Sequence, residues 1–235
     1  MNSFGSIAWS SVGKKVITGL TGLALFGFVV VHLVGNFTLF IGPGAFNAYA
    51  HFLETAVHGW LIYAFEAALI PIFLFHIIST FTVAWTDRRA ARDVGYKTLK
   101  NAGGKSRKTF SSTTMIYTGA LIFIFVVGHI FLFKFADHEV GADGVKNLYK
   151  TVVTTFKDIG FTAFTVVVMT LLGFHLRHGI WSAFQSLGLA NDKYLPILEK
   201  LALVFSILLA IGFILIPIIL FLTGDPNAVA GPGGH

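Results

Sequence analysis

Histidine is the residue type in this chain whose number and spacing best suit chemistry. Nine histidines occur, and five of them, His32, His76, His129, His175 and His178, lie inside long apolar segments. Ionisable side chains are rare in membrane spans, and a functional role is the default interpretation of each one. The first four are separated by 44, 53 and 46 residues, so each step reaches the next apolar segment. A neutral imidazole is a common metal ligand, and this pattern predicts metal ligation between helices.

The absence of cysteine narrows the chemistry of such a site. The chain has no cysteine, which excludes disulfides, iron–sulfur ligation, zinc–thiolate sites and the covalent attachment of a c-type haem. Two neutral imidazoles per iron would complete the coordination of a b-type haem, which then moves electrons rather than binding oxygen. The histidine pattern therefore predicts b-type haems held by ligation and packing alone.

The composition indicates that a membrane surrounds these histidines. Hydrophobic residues make up 55% of the 235 residues and charged residues only 12%, with a mean hydropathy of +0.77. Soluble domains carry about 25% charged residues. A water-soluble enzyme, a disordered protein and a nucleic-acid-binding domain are therefore excluded. The net charge of +6 is interpreted as membrane topology instead.

Five apolar segments are long enough to span a bilayer as helices, which requires about 20 residues. They are Val16–Ile41, Trp60–Trp85, Thr113–Phe135, Phe161–Gln185 and Leu201–Leu222. The predicted fold is an all-α integral membrane bundle of five transmembrane helices, a single domain over residues 1–224 with a disordered tail at 225–235. Residues Phe46 to His58 are expected to form an amphipathic surface helix, and no internal sequence repeat is expected.

The basic residues orient the predicted bundle. Twelve lie on the side of the N-terminus and only four on the opposite side. The positive-inside rule then puts the N-terminus in the cytoplasm and the C-terminus outside. The twelve are Lys14, Lys15, Arg88, Arg89, Arg92, Lys97, Lys100, Lys105, Arg107, Lys108, Lys193 and Lys200.

The depths of the histidines sort them into two pairs. At 1.5 Å per residue, His32 and His129 lie about 26 and 24 Å from the inner boundary, whereas His76 and His175 lie about 14 and 15 Å from it. His32 and His129 are therefore predicted to clamp an outer haem, and His76 and His175 an inner haem. His178 is close in depth to His175 and remains an alternative ligand at this point.

Glycines and alternative functions complete the interpretation from residues alone. Gly35 follows His32 by three residues and Gly179 follows His175 by four, and both are expected to let a porphyrin approach the helix backbone.

Isolated membrane histidines also hydrogen-bond between helices, so other functions stay open. They are a histidine-relay transporter, a structural anchor without haem and a ferric-reductase-like or ascorbate-dependent cytochrome b. A zinc or nickel transporter would require carboxylates beside ligands at one depth.

The chain resembles the cytochrome b membrane-anchor subunit of succinate dehydrogenase and fumarate reductase, respiratory complex II, of the single-chain, two-haem type. The most specific matching segment is HLRHGIWSAFQ at 175–185, and weaker matches are SSVGKK at 10–15, HLVGN at 32–36 and DRRAAR at 87–92. In this family the ligand of the fourth span stands four residues before the glycine, which implies His175. His178, Arg177, Lys14 and Arg89 are then candidate neighbours of the inner haem.

The resemblance also implies partners and a substrate. The expected partners are a flavoprotein subunit that interconverts succinate and fumarate and an iron–sulfur subunit, both on the basic inner face. The chain would pass electrons through two haems b to or from a membrane quinone, with menaquinone expected, in a bacterial cytoplasmic membrane. The candidates for the proton donor at the quinone site are Glu54, His51, His58 and Glu66. Some family members carry an acid two residues before the fourth-span ligand, and Gly173 occupies that position here.

Overall fold

The computed structural model describes residues 9–87, 109–141 and 144–228, and almost all of its regular structure is helical. Five long helices are apolar and long enough to cross a membrane, as expected for a multi-pass membrane protein. In chain order the helices are α1 (Ser11–Asn36), α2 (Pro43–Thr55), α3 (Trp60–Thr82), α4 (Phe110–Phe133), α5 (Leu148–Phe156), α6 (Ile159–Ser186) and α7 (Leu195–Thr223). Helices α2 and α5 are short, and the other five are the long ones. The prediction of five apolar spanning helices is confirmed.

The ends of the long helices differ from the predicted bounds because polar groups fix them. Helix α1 begins five residues earlier than predicted, where the Ser10 Oγ accepts a hydrogen bond from the Gly13 N–H at 3.1 Å. It ends at Asn36 and continues as a 3₁₀ turn, Phe37–Phe40. Helix α6 begins after Asp158, whose Oδ1 accepts from the Phe161 N–H at 2.6 Å. Such capping side chains lie in polar segments, so the pattern of apolar residues does not show where these helices begin.

The segment between α1 and α3 forms a surface helix and a strained turn. Helix α2 lies within three residues of its predicted limits and begins at Pro43, directly after Gly42 with φ of +133°. Val57 and His58 then adopt left-handed backbone angles, with φ of 53° and 55°. This conformation is unusual for any residue other than glycine and especially for a β-branched one. The candidate proton donor His58 therefore lies on a strained backbone.

Helix α5 was missed by the sequence analysis. Its first turn is capped by Asn147, whose Oδ1 accepts from the Lys150 N–H at 3.1 Å. The preceding loop carries an isolated antiparallel bridge between Val140 and Lys146. Four of its nine residues are buried, which shows that the helix packs against the protein. Too short to span a membrane, it gives no long apolar signal.

Part of the predicted tail lies within the described residues. Asp225 forms a turn, in which its Oδ1 accepts from the Asn227 N–H at 2.9 Å. The remainder of that segment, 229–235, lies outside the described residues, as does Arg89 in the basic loop.

The chain divides into two compact units. Unit 1 comprises residues 1–27, 69–119 and 174–206, and unit 2 comprises residues 28–68, 120–173 and 207–235. Each of the five long helices contributes residues to both units. Unit 1 contains His76, His175 and His178, whereas unit 2 contains His32 and His129.

Close packing in unit 2 holds the residue that follows His32. A Cβ added at Gly212 on α7 would lie 2.6 Å from the Leu33 Cδ2, and Leu33 is only 6% exposed. By contrast, a Cβ at Gly27 on α1 would meet nothing within 4 Å. Gly212 therefore permits a close approach of α7 to α1 that larger residues would prevent.

We expect Gly212→Ala to destabilise the protein by about 1–3 kcal/mol, because overpacking forces Leu33 to move. The matched control Gly27→Ala should be neutral or slightly stabilising, since alanine favours the helix and finds open space. Thermal unfolding of the purified protein in detergent measures both effects. Equal melting temperatures for the two variants would contradict the packing argument.

Candidate functional site: two histidine pairs

In unit 2 the structure brings His32 of α1 and His129 of α4 together. Their ring centroids are 5.8 Å apart and the ring planes are inclined at 85°. Two imidazoles that ligate one metal from opposite sides, with metal–nitrogen bonds of about 2 Å, have centroids about 6 Å apart. The observed separation leaves room for one metal ion between two ring nitrogens, and it is also the separation of a direct edge-to-face contact between rings.

Phenylalanines surround this unit 2 pair. Phe28 and Phe213 stack on the His32 ring at 5.4 and 6.1 Å, and Phe125 stacks on the His129 ring at 5.7 Å. Phe133 also contacts the His129 ring, at 4.9 Å. Aromatic rings on both imidazoles restrict their rotation and exclude water. This environment suits a flat, apolar ligand between the helices.

In unit 1 the rings of His76 of α3 and His175 of α6 each contact a neighbouring helix. The Nδ1 of His76 lies 3.3 Å from the Thr21 Oγ1 on α1. The Nδ1 of His175 lies 3.3 Å from the Thr118 Oγ1 on α4. In both cases the other ring nitrogen, Nε2, remains for a ligand.

A glycine follows each of these threonines and gives the imidazole room. A Cβ at Gly22 would lie 3.2 Å from the His76 Cε1, and one at Gly119 would lie 3.3 Å from the His175 Cε1. These distances are tighter than ordinary van der Waals contact, so larger residues would displace the rings. The dipeptides Thr21-Gly22 and Thr118-Gly119 therefore determine where the unit 1 histidines lie.

The sequence analysis missed both dipeptides, although a signal was present. Residues 21–32 read TGLALFGFVVVH and residues 118–129 read TGALIFIFVVGH. The threonine, the glycine, two phenylalanines, two valines and the histidine match. Helices α1 and α4 therefore share a short motif, not noticed in the sequence analysis, that places a histidine eleven residues after the threonine of a Thr-Gly dipeptide.

The two glycines that the sequence analysis did select behave differently from each other. A Cβ at Gly35 would lie 2.6 Å from the Tyr49 hydroxyl oxygen, so this glycine accommodates Tyr49 of α2. The expectation of porphyrin contact at Gly35 stays a prediction, and Tyr49 is the side chain that lies at this glycine. A Cβ at Gly179 would meet nothing within 4 Å, which leaves open space one turn after His175.

Several polar groups of unit 1 lie on the same helix faces as the histidines and threonines. Lys14, two turns before Thr21, is 6% exposed and is the one charged side chain buried among the described residues. At the equivalent position of the repeat, two turns before Thr118, Ser111 is 2% exposed. In the part of the chain that the structure describes, the Ser111 Oγ and the Thr80 Oγ1 are buried without a hydrogen-bond partner. Buried hydroxyls in this state are uncommon in native proteins, and each can still bind a water molecule or a polar ligand group.

The other residues predicted to neighbour the inner haem are His178, Arg177 and Arg89. The ring of His178 meets the edge of Trp181 at 5.0 Å, whereas His175 is the histidine that contacts Thr118 and Gly119. Arg177 is exposed on α6. Arg89 lies outside the described residues.

All four candidate proton donors belong to unit 2. His51, Glu54 and His58 are exposed, and Glu54 forms an ion pair with Lys146 at 3.0 Å. Glu66 lies in the second turn of α3 and is paired with Lys134, just beyond the end of α4. Both glutamates are therefore paired with lysines of the segment that connects α4 to α5.

Unit 2 also contains a half-open cavity of about 370 Å³. Tyr149 of α5 lines it and is 7% exposed. Burial raises the pKa of Tyr149 above its ordinary value, and the negative charge of Asp225 adds to the increase. The phenol therefore stays protonated at neutral pH.

Across the described ranges, no group of three or more histidine, cysteine, aspartate or glutamate residues is arranged to hold a metal ion. Comparisons with protein-family models, with curated proteins and with solved structures find no match to this chain. The geometry of the two histidine pairs therefore carries the functional argument.

Asn47 connects the helix that bears His51 and Glu54 to α5. Its Oδ1 accepts from the Tyr149 N–H at 2.9 Å, and its Nδ2 donates to the Asn147 Oδ1 at 3.1 Å. We expect Asn47→Ala to cost about 1–3 kcal/mol locally, because the Tyr149 N–H loses its acceptor. Hydrogen–deuterium exchange should become faster over α2 and α5.

The matched control is Asn191→Ala, which removes a side-chain acceptor at the start of α7, where the Asn191 Oδ1 accepts from the Tyr194 N–H at 3.0 Å. Its exchange should change near α7 and not in α2. Unchanged protection of α2 in Asn47→Ala would show that this connection does not hold the surface helix.

Proposed function

We propose that this chain is the cytochrome b membrane-anchor subunit of a succinate:quinone oxidoreductase. His32 and His129 would ligate one haem b, and His76 and His175 a second. The chain would pass electrons between an iron–sulfur subunit and a membrane quinone, with menaquinone the expected quinone. The separation and inclination of the His32 and His129 rings is the observation that carries this proposal.

The residues present fit haem b in both units. With no cysteine in the chain, a haem must be held by its axial ligands and by packing. In unit 2 the packing is supplied by Phe28, Phe125 and Phe213. In unit 1 the open space at Gly179 and the unpartnered hydroxyls of Thr80 and Ser111 fit a large group that carries polar substituents.

Haem carboxylates require hydrogen-bond donors and positive charge in this setting. The ammonium group of buried Lys14 and the hydroxyls of Thr80 and Ser111 are donors on the relevant helix faces. His178, Arg177 and Arg89 remain candidates for the same role. Lys14 is only 6% exposed whereas Arg177 is exposed, which favours Lys14 of the two.

Haem held by two imidazoles supplies one-electron redox chemistry with no open coordination position. His32, His129, His76 and His175 would hold the haems, and the apolar residues around them would exclude water. Proton delivery to a quinone would fall to a separate group, for which Glu54, His51, His58, Glu66 and now Tyr149 are candidates. Glu66 and Glu54 are each already charged partners of a lysine.

The distribution of basic residues supports the proposed orientation and partners. The N-terminus would lie in the cytoplasm and the C-terminus outside, in a bacterial cytoplasmic membrane. A flavoprotein subunit and an iron–sulfur subunit would dock on the basic cytoplasmic side. Succinate and fumarate would react on the flavoprotein, and this chain would carry the quinone chemistry.

We expect the purified chain to contain two haems b and His175→Ala to contain one, because loss of an axial imidazole releases the haem it holds. His32→Ala should also contain one haem, which is then the unit 1 haem and has a different midpoint potential from the haem that His175→Ala retains. A pyridine haemochrome assay counts the haems, and a reduced-minus-oxidised spectrum with a redox titration distinguishes them.

The matched control is His178→Ala, one turn from His175 on α6, which should keep both haems. A colourless wild-type chain would refute the proposal and favour a histidine-relay transporter or a haem-free anchor. Haem without a co-purifying flavoprotein and iron–sulfur protein would favour another type of bis-histidine cytochrome b.

The orientation can be tested with cysteines, because the native chain has none. Leu189, between α6 and α7, and Val140, between α4 and α5, are each 61% exposed and form a matched pair. In intact cells, a membrane-impermeant thiol reagent should label Val140→Cys and not Leu189→Cys. After the membrane is opened, both should react, and the reverse pattern in intact cells would invert the proposed topology.

A further inference from the structure

We propose that Thr21 and Thr118 are positioning residues, each of which fixes the Nδ1–H tautomer of a unit 1 histidine and leaves its Nε2 lone pair for iron. This inference rests on the proposed haem function and deepens it. The contacts are Thr21 with His76 and Thr118 with His175, both at 3.3 Å from oxygen to Nδ1.

The direction of these hydrogen bonds is assigned from the competing contacts of each hydroxyl group. The Thr21 hydroxyl oxygen lies 2.7 Å from the Ile17 carbonyl oxygen and 3.3 Å from the His76 Nδ1, so we assign its proton to the shorter contact. The Thr118 hydroxyl oxygen lies 3.1 Å from the Met115 carbonyl oxygen and 3.3 Å from the His175 Nδ1, and we assign its proton to its own helix by analogy with Thr21. With this assignment each threonine oxygen accepts a hydrogen bond from a protonated Nδ1.

The protonation state of the second ring nitrogen follows from this assignment. With Nδ1–H donating to the threonine oxygen, each neutral ring carries its lone pair on Nε2. An imidazole in this tautomer is ready to ligate a metal ion.

The glycine after each threonine makes the contact sterically possible. The His76 and His175 Cε1 atoms, which lie between the two ring nitrogens, pack against Gly22 and Gly119. A side chain at either position would displace the ring and lengthen the threonine contact. Threonine and glycine thus act together, the first through its oxygen and the second through its lack of a Cβ.

The repeat shows that this arrangement is not an isolated packing contact. The two dipeptides are 97 residues apart, as are His32 and His129 of the same motifs. Each copy contacts a different unit 1 histidine at the same ring atoms, Nδ1 and Cε1. Two independent helices thus supply the same two groups to both proposed ligands of one haem.

The expected chemical effect is on the iron that the imidazoles hold. An Nδ1–H that donates a hydrogen bond increases the electron density at Nε2 and makes the ring a stronger ligand. A stronger ligand stabilises ferric over ferrous iron. Loss of one threonine hydroxyl should therefore raise the midpoint potential of the unit 1 haem alone.

The test is Thr118→Val in the full-length, haem-loaded chain, since valine keeps the shape and removes the hydroxyl. We expect both haems to be retained and the ratio of ferrous to ferric iron at a given potential to rise about tenfold at one of them, or about 59 mV for one electron. The affected haem should be the one that His175→Ala removes. Redox titration followed by absorbance gives both potentials.

Two further variants separate the hydroxyl from general packing. Thr118→Ser retains the oxygen and should restore the wild-type potential. Thr114→Val, one turn earlier on α4, removes a hydroxyl that bonds only to its own helix, at the Phe110 and Ser111 carbonyl oxygens, and should leave both potentials unchanged.

An unchanged potential in Thr118→Val, or an equal shift in Thr118→Ser, would overturn the inference while leaving the haem function intact. A wild-type chain without haem would overturn the proposed function and this inference together. If Thr118→Val does not retain the unit 1 haem, Thr21→Val tests the same bond on the opposite ligand, and an unchanged potential there would overturn the inference.

Discussion

A histidine buried in an apolar helix bundle has two ring nitrogens, and each requires a partner, because an unsatisfied polar group in a low-dielectric environment costs several kcal/mol. This requirement governs the arrangement of unit 1. Threonine hydroxyls satisfy the Nδ1 atoms of His76 and His175, and the same threonines satisfy their own hydroxyl protons within the helix. A metal ion bound by the Nε2 atoms of both rings would then link the stability of the bundle to the proposed cofactor.

The unit 2 pair meets the same requirement by a different route. His32 and His129 lie against phenylalanines, and their rings approach each other directly at a separation that suits one metal ion. The repeated motif explains why the two pairs are related but not identical. Phe28 and Phe125 occupy equivalent positions four residues before the histidines, on the same helix face as the ligand. At its C-terminal end the motif supplies a histidine that stacks on a phenylalanine. At its N-terminal end it supplies the threonine and glycine that contact a unit 1 histidine on another helix.

The sequence predicted the features that depend on hydrophobicity and helix rise. Five long apolar segments can only be helices in a membrane, so their number was determined without a structure. Depth along those helices grouped His32 with His129, and the structure brings these two rings together. Features that depend on particular contacts were not predictable in this way. Helix α5 is too short for a membrane signal, Gly35 packs on Tyr49 through a surface helix, and the ends of α1 and α6 depend on single capping side chains.

The Thr-Gly dipeptides show what kind of sequence signal was available but unused. Searching outward from each histidine along its own helix finds only residues that support that histidine, such as Phe28 for His32. The groups that orient His76 and His175 lie on other helices, more than fifty residues away, where no local pattern points to them. Comparing α1 with α4 reveals them, because a threonine and a glycine recur at a fixed distance from a histidine in both. Each threonine satisfies its own hydroxyl proton within its helix, so no energetic penalty marks it in the sequence. Its recurrence at the same distance from a histidine is the signal, and the imidazole that it contacts belongs to the other histidine pair.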